Sequence, residues 1–401
     1  MSANKPPFDG EWLKLKGRVE YVRGVTYKAA VDLHGELDRG SYILLRANNI
    51  QDGRLSFDDV QYVDKSKVKP KQLLRKGDIL ICASSGSKSL VGKAALVEND
   101  MPITFGAFCC ALRPKTGESE YLGHYFQSRQ YRKAIERACS GSNINNLKAA
   151  SFESLIVPLY SKTDMLSVVG VLDALVAQKR ETESQLELLD TLVKSRFVEM
   201  FGDAETIEAK WDVCALRDCV ESLESGKSPS CQNMPRKGLE PGVLKLSALS
   251  SGRFLPEENK AMLPGGAIAP DKGVRRGDIL IARKNTPELV GSCVLVRDDV
   301  ENLMFPDIVF RMHPNGSVEG EYLSALLSGP SYSGKVKSLA HGSNKSMSNI
   351  PKADLAQLRI PLPSLPLQQE FASFVAEVDK SRFNLLKTYG SIIALFRMLS
   401  P

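Results

Sequence analysis

The sequence predicts an α+β protein in which two similar mixed β/α domains are separated by two long antiparallel coiled-coil helices. Three observations lead to this fold class. The 401 residues contain a tandem repeat of about half the chain, each copy begins with short β-branched runs, and each copy ends in a long stretch without proline. We therefore expect a pseudo-twofold tandem repeat, with domains at 1–160 and 204–363 and helices at 161–203 and 364–401.

The repeat is visible in two segments, "RKGDILICASSGSKSLVGKAALV" from Arg75 and "RRGDILIARKNTPELVGSCVLV" from Arg275. Further matches occur in the same order along both halves. They pair Trp12 with Trp211, Gly53 with Gly252, Gly77 with Gly277, Glu120 with Glu321, Gly141 with Gly342, and Leu155 with Leu358. The offsets drift only from 199 to 203 residues, which indicates duplication. Two copies are too few for a solenoid, which stacks three or more short repeats.

Each copy starts with a β-rich block. The runs "YILLRANNI" and "VLKLSAL" come first, followed by "GDILI" and then "AALV" or "CVLV". The last three are β-branched runs bounded by turn residues, which predicts a hairpin with Gly92 or Gly291 at a turn or bulge. A short helical stretch, a Gly-Ser-Asn loop and a short strand ending at Pro158 or Pro361 complete each domain.

Each copy ends in a predicted helix of roughly 34–38 residues, about 50–57 Å at ~1.5 Å per residue. Apolar residues recur at heptad positions, with polar interruptions at Lys179 and Thr182 and at Ser381 and Thr388, and the second stripe continues to Leu395. The predicted packing positions are Leu172, Leu175, Leu186, Leu189, Val193, Phe371, Phe374, Val378, Leu385 and Ile392. An apolar stripe this narrow requires a partner helix, and the long helix of the other copy is the expected partner. The alternative is that each helix folds back on its own domain.

The glycines of the opening segment do not form a nucleotide-binding loop. Five residues separate Gly86 from Gly92, where a Walker A loop has four, and Ala94 stands where Ser or Thr would bind magnesium. The sequence also lacks G-x-G, G-x-S-x-G and H-E-x-x-H motifs. We therefore expect no cofactor and no catalytic activity in this chain.

The eight cysteines are scattered and include no C-x-x-C pair, so no zinc site is expected. Apolar neighbours around Cys82, Cys109 and Cys293 predict buried, reduced thiols. No apolar run reaches the ~18–20 residues needed to span a bilayer, and the N-terminus is polar. These features favour a cytoplasmic protein.

Polar loops and basic segments are the candidate binding sites. The net charge of +6 permits nucleic acid as a partner without requiring it. The strands that flank the loop after "GDILI" are similar in both copies, whereas the residues within the loop differ. This pattern is typical of recognition loops on a scaffold. Side chains suited to phosphates or base edges are Arg46, Asn48, Ser84, Ser85, Ser87, Lys88, Arg129, Arg132, Lys133, Asn143, Asn145, Arg253, Arg283, Lys284, Asn285, Thr286, Lys335, Lys337, His341, Asn344 and Lys345. For each group taken alone, a solvated surface is the competing interpretation.

The whole chain resembles the specificity subunits of type I restriction–modification systems. The most specific segment is "IPLPSLPLQQEFASFVAEVDK" at 360–380, which looks like the conserved helix of that family. The first copy, "VPLYSKTDMLSVVGVLDAL", is a weaker match because it lacks the second proline and the paired glutamines.

The resemblance implies two target recognition domains, each reading one half of a split, asymmetric site in double-stranded DNA. It implies that the conserved helices fix the unread gap and dock two methyltransferase subunits. It leaves open whether motor–nuclease subunits join them, and it does not say which residues touch bases. The alternative function is an orphan two-domain DNA-binding scaffold or regulator without a modification partner.

Overall fold

The computed structural model describes residues 10–115, 117–139, 146–341 and 347–399. The chain divides into two compact units. Unit 1 comprises Met1–Glu183 with Lys387–Pro401, and unit 2 comprises Ser184–Leu386. Each unit contains part of both long helices.

Unit 1 is a mixture of short strands and helices. Its strands are β1 Glu11–Lys14, β2 Val19–Arg23, β3 Leu33–His34, β4 Ser41–Leu45, β5 Ile50–Gln51, β6 Arg54–Leu55, β7 Gln61–Asp64, β8 Ile79–Cys82, β9 Ala94–Leu96, β10 Ile103–Phe105, β11 Cys109–Pro114 and β12 Ile156–Leu159. Its helices are α1 Ala29–Asp32, α2 Ser119–Tyr125, α3 Arg129–Cys139, α4 Ala149–Glu153 and the start of α5 Lys162–Phe201. Short 3-10 turns lie at Ala47–Asn49, Lys65–Lys67 and Pro70–Gln72.

The main sheet of unit 1 has the order β2-β11-β8-β9, and a second sheet has the order β10-β4-β7-β3. Strand β8 lies inside the main sheet, and its four residues are all buried. One face of the sheet packs on helices α2 and α3 through Ile81, Tyr121 and Ile135. The other face packs on the second sheet through Leu80 and Phe105. An apolar run such as "ILIC" is what a strand covered on both faces requires.

Unit 2 repeats this construction. Its strands are β13 Val213–Ala215, β14 Val220–Ser225, β15 Gly242–Leu244, β16 Asn259–Ala261, β17 Ile279–Ala282, β18 Lys284–Asn285, β19 Cys293–Leu295, β20 Leu303–Met304, β21 Val309–Pro314, β22 Ser348–Asn349 and β23 Arg359–Pro361. Its helices are α6 Ile207–Lys210, α7 Ser247–Ser250, α8 Gly320–Ser328, α9 Pro330–Ser338, α10 Lys352–Gln357 and the start of α11 Leu365–Leu399, and a 3-10 turn lies at Leu216–Asp218.

The main sheet of unit 2, β14-β21-β17-β19, has the strand order of the main sheet in unit 1. Strand β20 pairs in parallel with β15, as β10 does with β4. The duplicated sequence therefore forms the same framework twice, and the predicted α+β fold class is confirmed. The run "VLKLSAL" differs from expectation, because only its first two residues lie in strand β15 and its last three begin helix α7.

The predicted hairpin is present in both units. Strand β8 pairs antiparallel with β9, and β17 pairs with β19. Gly92 and Gly291 have φ angles of +84° and +80°, in the left-handed region. A Cβ atom at either glycine would also lie within 2.8 Å of a buried branched side chain, Ile135 or Val336. These glycines thus serve a tight turn under a helix and do not cradle a phosphate.

The predicted helical stretch is broken in each unit. In unit 1 it divides into α2 and α3, and the Ser128 Oγ accepts a hydrogen bond from the Tyr131 backbone N–H at 3.1 Å, at the start of α3. In unit 2 the break falls at Gly329, and Pro330 begins α9. Proline is favoured in a first helical turn because the N–H it lacks has no partner there.

The two long helices exceed or match the predicted lengths. Helix α5 has 40 residues, longer than expected, and α11 has 35. In unit 1 the Tyr389 hydroxyl donates to Glu183 Oε1 at 2.8 Å, while Phe396 packs on the core that contains Leu172. Residue numbers therefore increase along one helix while they decrease along the other, so the parts of α5 and α11 in unit 1 are antiparallel.

Unit 2 shows the same antiparallel pairing between the other parts of these helices. Arg382 Nη2 lies 2.6 Å from Asp190 Oδ1, and the rings of Phe197 and Phe371 are 5.5 Å apart. The heptad prediction fails at Leu395, which is 46% exposed. Its neighbours Ile392 and Phe396 turn inward instead, so the apolar face here follows 3.6 and not 3.5 residues per turn.

The first glutamine of the "LPLQQEF" segment has a structural role that its polarity does not suggest. Gln368 is fully buried; its Oε1 accepts from the Glu319 backbone N–H at 2.8 Å, and its Nε2 donates to the Pro363 carbonyl at 2.8 Å. It therefore connects the start of α11 to the start of α8. The adjacent Gln369 is exposed.

We expect Gln368→Leu to lower the free energy of unfolding by about 2–3 kcal/mol, because it leaves the part-buried Glu319 N–H and the buried Pro363 carbonyl without these partners. Chemical denaturation followed by circular dichroism measures this change. Gln369→Leu is the matched control and should change stability by less than about 0.5 kcal/mol. Equal effects of the two substitutions would show that the buried amide has no special role.

Candidate nucleic-acid interface

Four segments meet where β8 and β10 end in unit 1. The Phe108 carbonyl accepts from the Ala83 and Ser84 backbone N–H groups at 2.9 and 3.0 Å. The Leu147 N–H donates to the Ala83 carbonyl at 2.8 Å, and the Val25 N–H donates to the Phe105 carbonyl at 2.7 Å. We call residues 24–28, 83–91, 106–108 and 146–148 the unit 1 edge.

The loop after β8 presents hydroxyl groups and one lysine at the unit 1 edge. Ser84 and Ser85 are half-buried, whereas Ser87 and Lys88 are exposed. The Ser87 N–H donates to Ser85 Oγ at 3.2 Å, and Ser87 Oγ lies 2.8 Å from Ser89 Oγ. These short-range bonds order the loop and leave the lysine amino group directed to solvent.

Helix α3 supports this loop. Arg132 Nη1 donates to the Val91 carbonyl at 2.7 Å, Nη2 donates to the Lys88 carbonyl at 3.1 Å, and Nε pairs with Glu136 at 3.2 Å. Arg132 therefore positions the loop, whereas Arg129 and Lys133 are exposed on the same helix. A role for Arg132 in binding phosphate stays a prediction, since each of its three guanidinium nitrogens already donates one hydrogen bond within the structure.

Arg46 and Asn48 lie elsewhere in unit 1 and are engaged with one carboxylate. Arg46 Nη2 and Asn48 Nδ2 contact Asp59 Oδ2 at 2.9 and 2.8 Å. To bind DNA they would have to exchange this partner for a phosphate or a base. Their contact with DNA stays a prediction.

The corresponding edge of unit 2 is built in the same way. The Ile308 carbonyl accepts from the Arg283 and Lys284 N–H groups at 3.0 and 3.3 Å, and the Ile350 N–H donates to the Arg283 carbonyl at 2.8 Å. Ser228 Oγ bonds to the Asp307 carboxylate and accepts from its backbone N–H at 3.2 Å. We call residues 226–229, 283–286, 306–308 and 347–349 the unit 2 edge.

The unit 2 edge carries a richer set of polar groups. The Arg283 guanidinium lies 4.9 Å from the centre of the Phe310 ring, and its Nη2 donates to Asn349 Oδ1 at 3.2 Å. Lys284 is half-buried and Thr286 is exposed. Asn285 is buried and accepts from the Thr286 N–H at 2.9 Å. Arg283 Nε also donates to Asn349 Oδ1 at 3.3 Å, and its Nη1 donates to Ser225 Oγ at 3.4 Å, so stacking, an amide and a hydroxyl group hold the guanidinium in place.

The remaining basic candidates of unit 2 are partly engaged. Lys335 Nζ lies 2.6 Å from Glu208 Oε1, and together with the Tyr332 hydroxyl it lowers the pKa of that carboxyl. Lys337 is exposed. His341 Nε2 lies 2.9 Å from Asp354 Oδ2.

Arg253 is joined to the long helices of unit 2. Its Nη2 lies 2.6 Å from Asp190 Oδ2, and Asp190 also pairs with Arg382. Arg382 in turn pairs with Asp379, which pairs with Arg297 at 3.3 Å. This chain of charges attaches the domain to the helices, so Arg253 has a clear positioning role and its contact with DNA stays a prediction.

The four remaining polar candidates lie outside the described residues: Asn143, Asn145, Asn344 and Lys345. Of the predicted helix positions, five are buried and five are half-buried. The buried ones are Leu172, Leu175, Phe371, Val378 and Ile392. The half-buried ones are Leu186, Leu189, Val193, Phe374 and Leu385.

The structure adds residues to both edges that loop composition did not indicate. Phe108, Lys28 and Lys148 belong to the unit 1 edge, and Lys227 and Asp307 belong to the unit 2 edge. A closer alignment of the repeat could have found them. Gly24 and Gly226 occupy corresponding positions in the two copies. A Cβ atom added at Gly24 would lie 2.1 Å from the Gly106 carbonyl oxygen, and one added at Gly226 would lie 2.0 Å from the Phe305 carbonyl oxygen.

Possible metal ligands, cysteine thiols and apolar helices are the remaining features of the described parts of the chain. No group of three or more His, Cys, Asp or Glu residues is placed there to hold a metal ion. Cys82, Cys109 and Cys293 are buried as predicted, and burial raises the pKa of the Cys109 and Cys293 thiols to about 12. No helix in these parts is both long enough and apolar enough to cross a membrane.

Comparison with known proteins identifies the family. A family model described as the type I restriction modification DNA specificity domain matches residues 14–186. The type I restriction enzyme EcoKI specificity subunit of Escherichia coli strain K12 is 30% identical over 344 residues, which cover 82% of this chain and 74% of that protein. This chain belongs to the type I restriction enzyme specificity subunits.

Further similarities agree with the family. The StySPI specificity subunit of Salmonella potsdam is 41% identical over 175 residues, 43% of this chain and 37% of that protein. The type I restriction–modification S subunit from M. genitalium has a TM-score of 0.55 at 14% identity, covering 100% of this chain and 98% of the other. A chain from a structural study of type I R-M complex assembly has a TM-score of 0.51 at 17% identity, covering 99% and 98%. These structures share the fold of a specificity subunit.

Proposed function

We propose that this specificity subunit reads a split, asymmetric sequence in double-stranded DNA, with unit 1 reading one half-site and unit 2 the other. The observation that carries the proposal is that one edge is built twice from corresponding segments and carries different side chains. In this proposal residues 1–160 and 204–363 are the recognition domains, and 161–203 and 364–401 are the spacer helices.

The charge of the two edges suits a polyanion. The four segments of the unit 1 edge contain Lys28, Lys88 and Lys148 and no acidic residue. The unit 2 edge contains three basic residues and one acid, Asp307, whose carboxylate is bonded to Ser228. Lysine chiefly neutralises phosphates, although it can also bond guanine, whereas hydroxyl, amide and guanidinium groups are common partners of base edges. Each edge therefore holds both kinds of group.

The long helices support docking of methyltransferase subunits. In unit 1 they expose Leu166, Val171 and Met398, which are 64%, 48% and 75% accessible. In unit 2 they expose Leu188, Leu192 and Leu386, at 63%, 47% and 46%. Leu188 and Leu192 are four residues apart and so share one face of α5, and neighbouring exposed apolar side chains are typical of a protein-binding face. We propose that two methyltransferase subunits bind here, that the helix pair fixes the unread gap, and that the methylation chemistry belongs to those partners.

An exchange of one domain tests whether each recognition domain reads one half-site. Replacing residues 1–155 with the equivalent domain of another family member, in a chain co-expressed with its methyltransferase, should change one half-site and leave the other intact. Methylation mapping of host DNA measures both half-sites at once. The matching exchange of the second domain is the control and should change the opposite half-site. A change in both half-sites from a single exchange, or sequence-specific binding by a chain that never associates with a methyltransferase, would contradict the proposal.

A further inference from the structure

The tip of the unit 1 edge carries an exposed aromatic side chain on a rigid backbone. Phe108 is 72% exposed, although its carbonyl accepts two backbone hydrogen bonds and the Cys109 N–H closes a tight turn to the Gly106 carbonyl at 2.8 Å. In the part of the chain that the structure describes, Phe108 is not among the side chains packed on the cores of unit 1. A large apolar group is thus held in solvent at a fixed position.

The equivalent position in unit 2 shows that the fold does not impose this exposure. Ile308 has the same pair of backbone hydrogen bonds at its carbonyl, yet its side chain is half-buried and packs on the core that contains Phe305 and Val309. The same turn can therefore direct its side chain inward. Exposing an aromatic ring costs the free energy that burial would have supplied, so an exposed ring on this hydrogen-bonded turn points to a ligand that covers it.

The surroundings of Phe108 favour DNA over an apolar protein surface as that ligand. Its backbone is bonded to Ser84, which begins the loop of hydroxyl groups that continues to Lys88. Helix α3, with exposed Arg129 and Lys133, supports the far side of that loop through Arg132. A single exposed ring among hydroxyl groups and cations suits contact with one apolar group on a charged, polar partner.

We propose that Phe108 reads a thymine by packing against its 5-methyl group in the half-site of unit 1. The 5-methyl group of thymine is the apolar feature of the base edges in the major groove, and apolar side chains including Phe contact it there. This inference rests on the proposed function and adds a named residue and a named base to it.

A double-mutant cycle between protein and DNA tests the contact. The chain is purified with its methyltransferase subunits, and binding is measured for the wild type and Phe108→Ala on duplexes in which each thymine of the half-site is replaced in turn by uracil. Uracil differs from thymine only in lacking the 5-methyl group. At one position the wild type should bind the uracil duplex about fourfold more weakly, from ~0.8 kcal/mol for one buried methyl group, and Phe108→Ala should bind both duplexes equally.

The control variant is Met101→Ala, which removes an exposed apolar side chain that precedes β10, whereas Phe108 follows it. Met101→Ala should keep wild-type affinity and the preference for thymine. Phe108→Ala should weaken binding to the thymine duplex about fourfold or more, because it loses at least the methyl contact, with an unchanged melting temperature. The inference is overturned if Phe108→Ala weakens the thymine and uracil duplexes equally, or if the half-site contains no thymine. A wild-type complex without sequence preference would instead refute the proposed function.

Discussion

Phe371→Ala is expected to lower the free energy of unfolding by about 3–5 kcal/mol. Phe371 is fully buried where α11 meets α5 in unit 2, and its ring centre lies 5.5 Å from those of Phe197 and Phe201. Phe201 also lies 4.8 Å from Tyr322 of α8, edge to face. Removing the ring leaves a cavity shared by both long helices and the domain.

The expected loss can be measured by chemical denaturation, with thermal melting as a second readout. Phe383→Ala in the same helix is the matched control, because this ring is 58% exposed, and it should cost less than about 1 kcal/mol. Phe371→Leu, which keeps most of the volume, should recover more than half of the loss. Similar losses for Phe371→Ala and Phe383→Ala would contradict the packing described for unit 2.

Inserting four residues into both long helices at facing positions should lengthen the recognised gap by one or two base pairs. Tyr389 and Glu183 are hydrogen bonded, so insertions after Glu183 and after Thr388 keep the two helices paired. Four residues add ~6 Å of helix at ~1.5 Å per residue, and one base pair of B-DNA rises ~3.4 Å. They also turn the helix by only about 40° beyond a full turn, so the apolar face is largely preserved.

An insertion in α5 alone is the control for this prediction. It shifts α5 by a full turn against an unchanged α11, so we expect it to weaken specific binding at least about tenfold instead of moving the gap. Methylation mapping of host DNA, together with binding to duplexes of graded gap length, measures both outcomes. An unchanged gap after the paired insertion would show that the helices do not set it.

The sequence predicted the repeated framework well because local patterns encode it. The runs "GDILI" become buried strands β8 and β17, since four consecutive apolar residues need cover on both faces. The glycines at 92 and 291 become left-handed turn residues, which few other residues tolerate. The long helices follow from apolar periodicity without proline, although their ends and the position of Leu395 were less well predicted.

The candidate site was harder to predict because the role of a polar side chain depends on its neighbours in space. The sequence predicts Arg132 as a ligand of phosphates or base edges, but its bonds to the Val91 and Lys88 carbonyls make it a support for a loop. Arg253 is a DNA-binding candidate from the sequence, but Asp190 lies 63 positions earlier and engages it. Sequence shows that a cation is present and does not show whether it is already paired.

The sequence by itself determined the duplication, the fold class and the family, because hydrophobic period, turn residues and repeated motifs are local and survive divergence of the loops. Only the tertiary structure decided which side chains stand at the two edges. Phe108 and Ile308 occupy the same turn, yet one projects into solvent and the other packs on a core. That difference depends on which side chains surround each turn, and those side chains come from segments far apart in the chain.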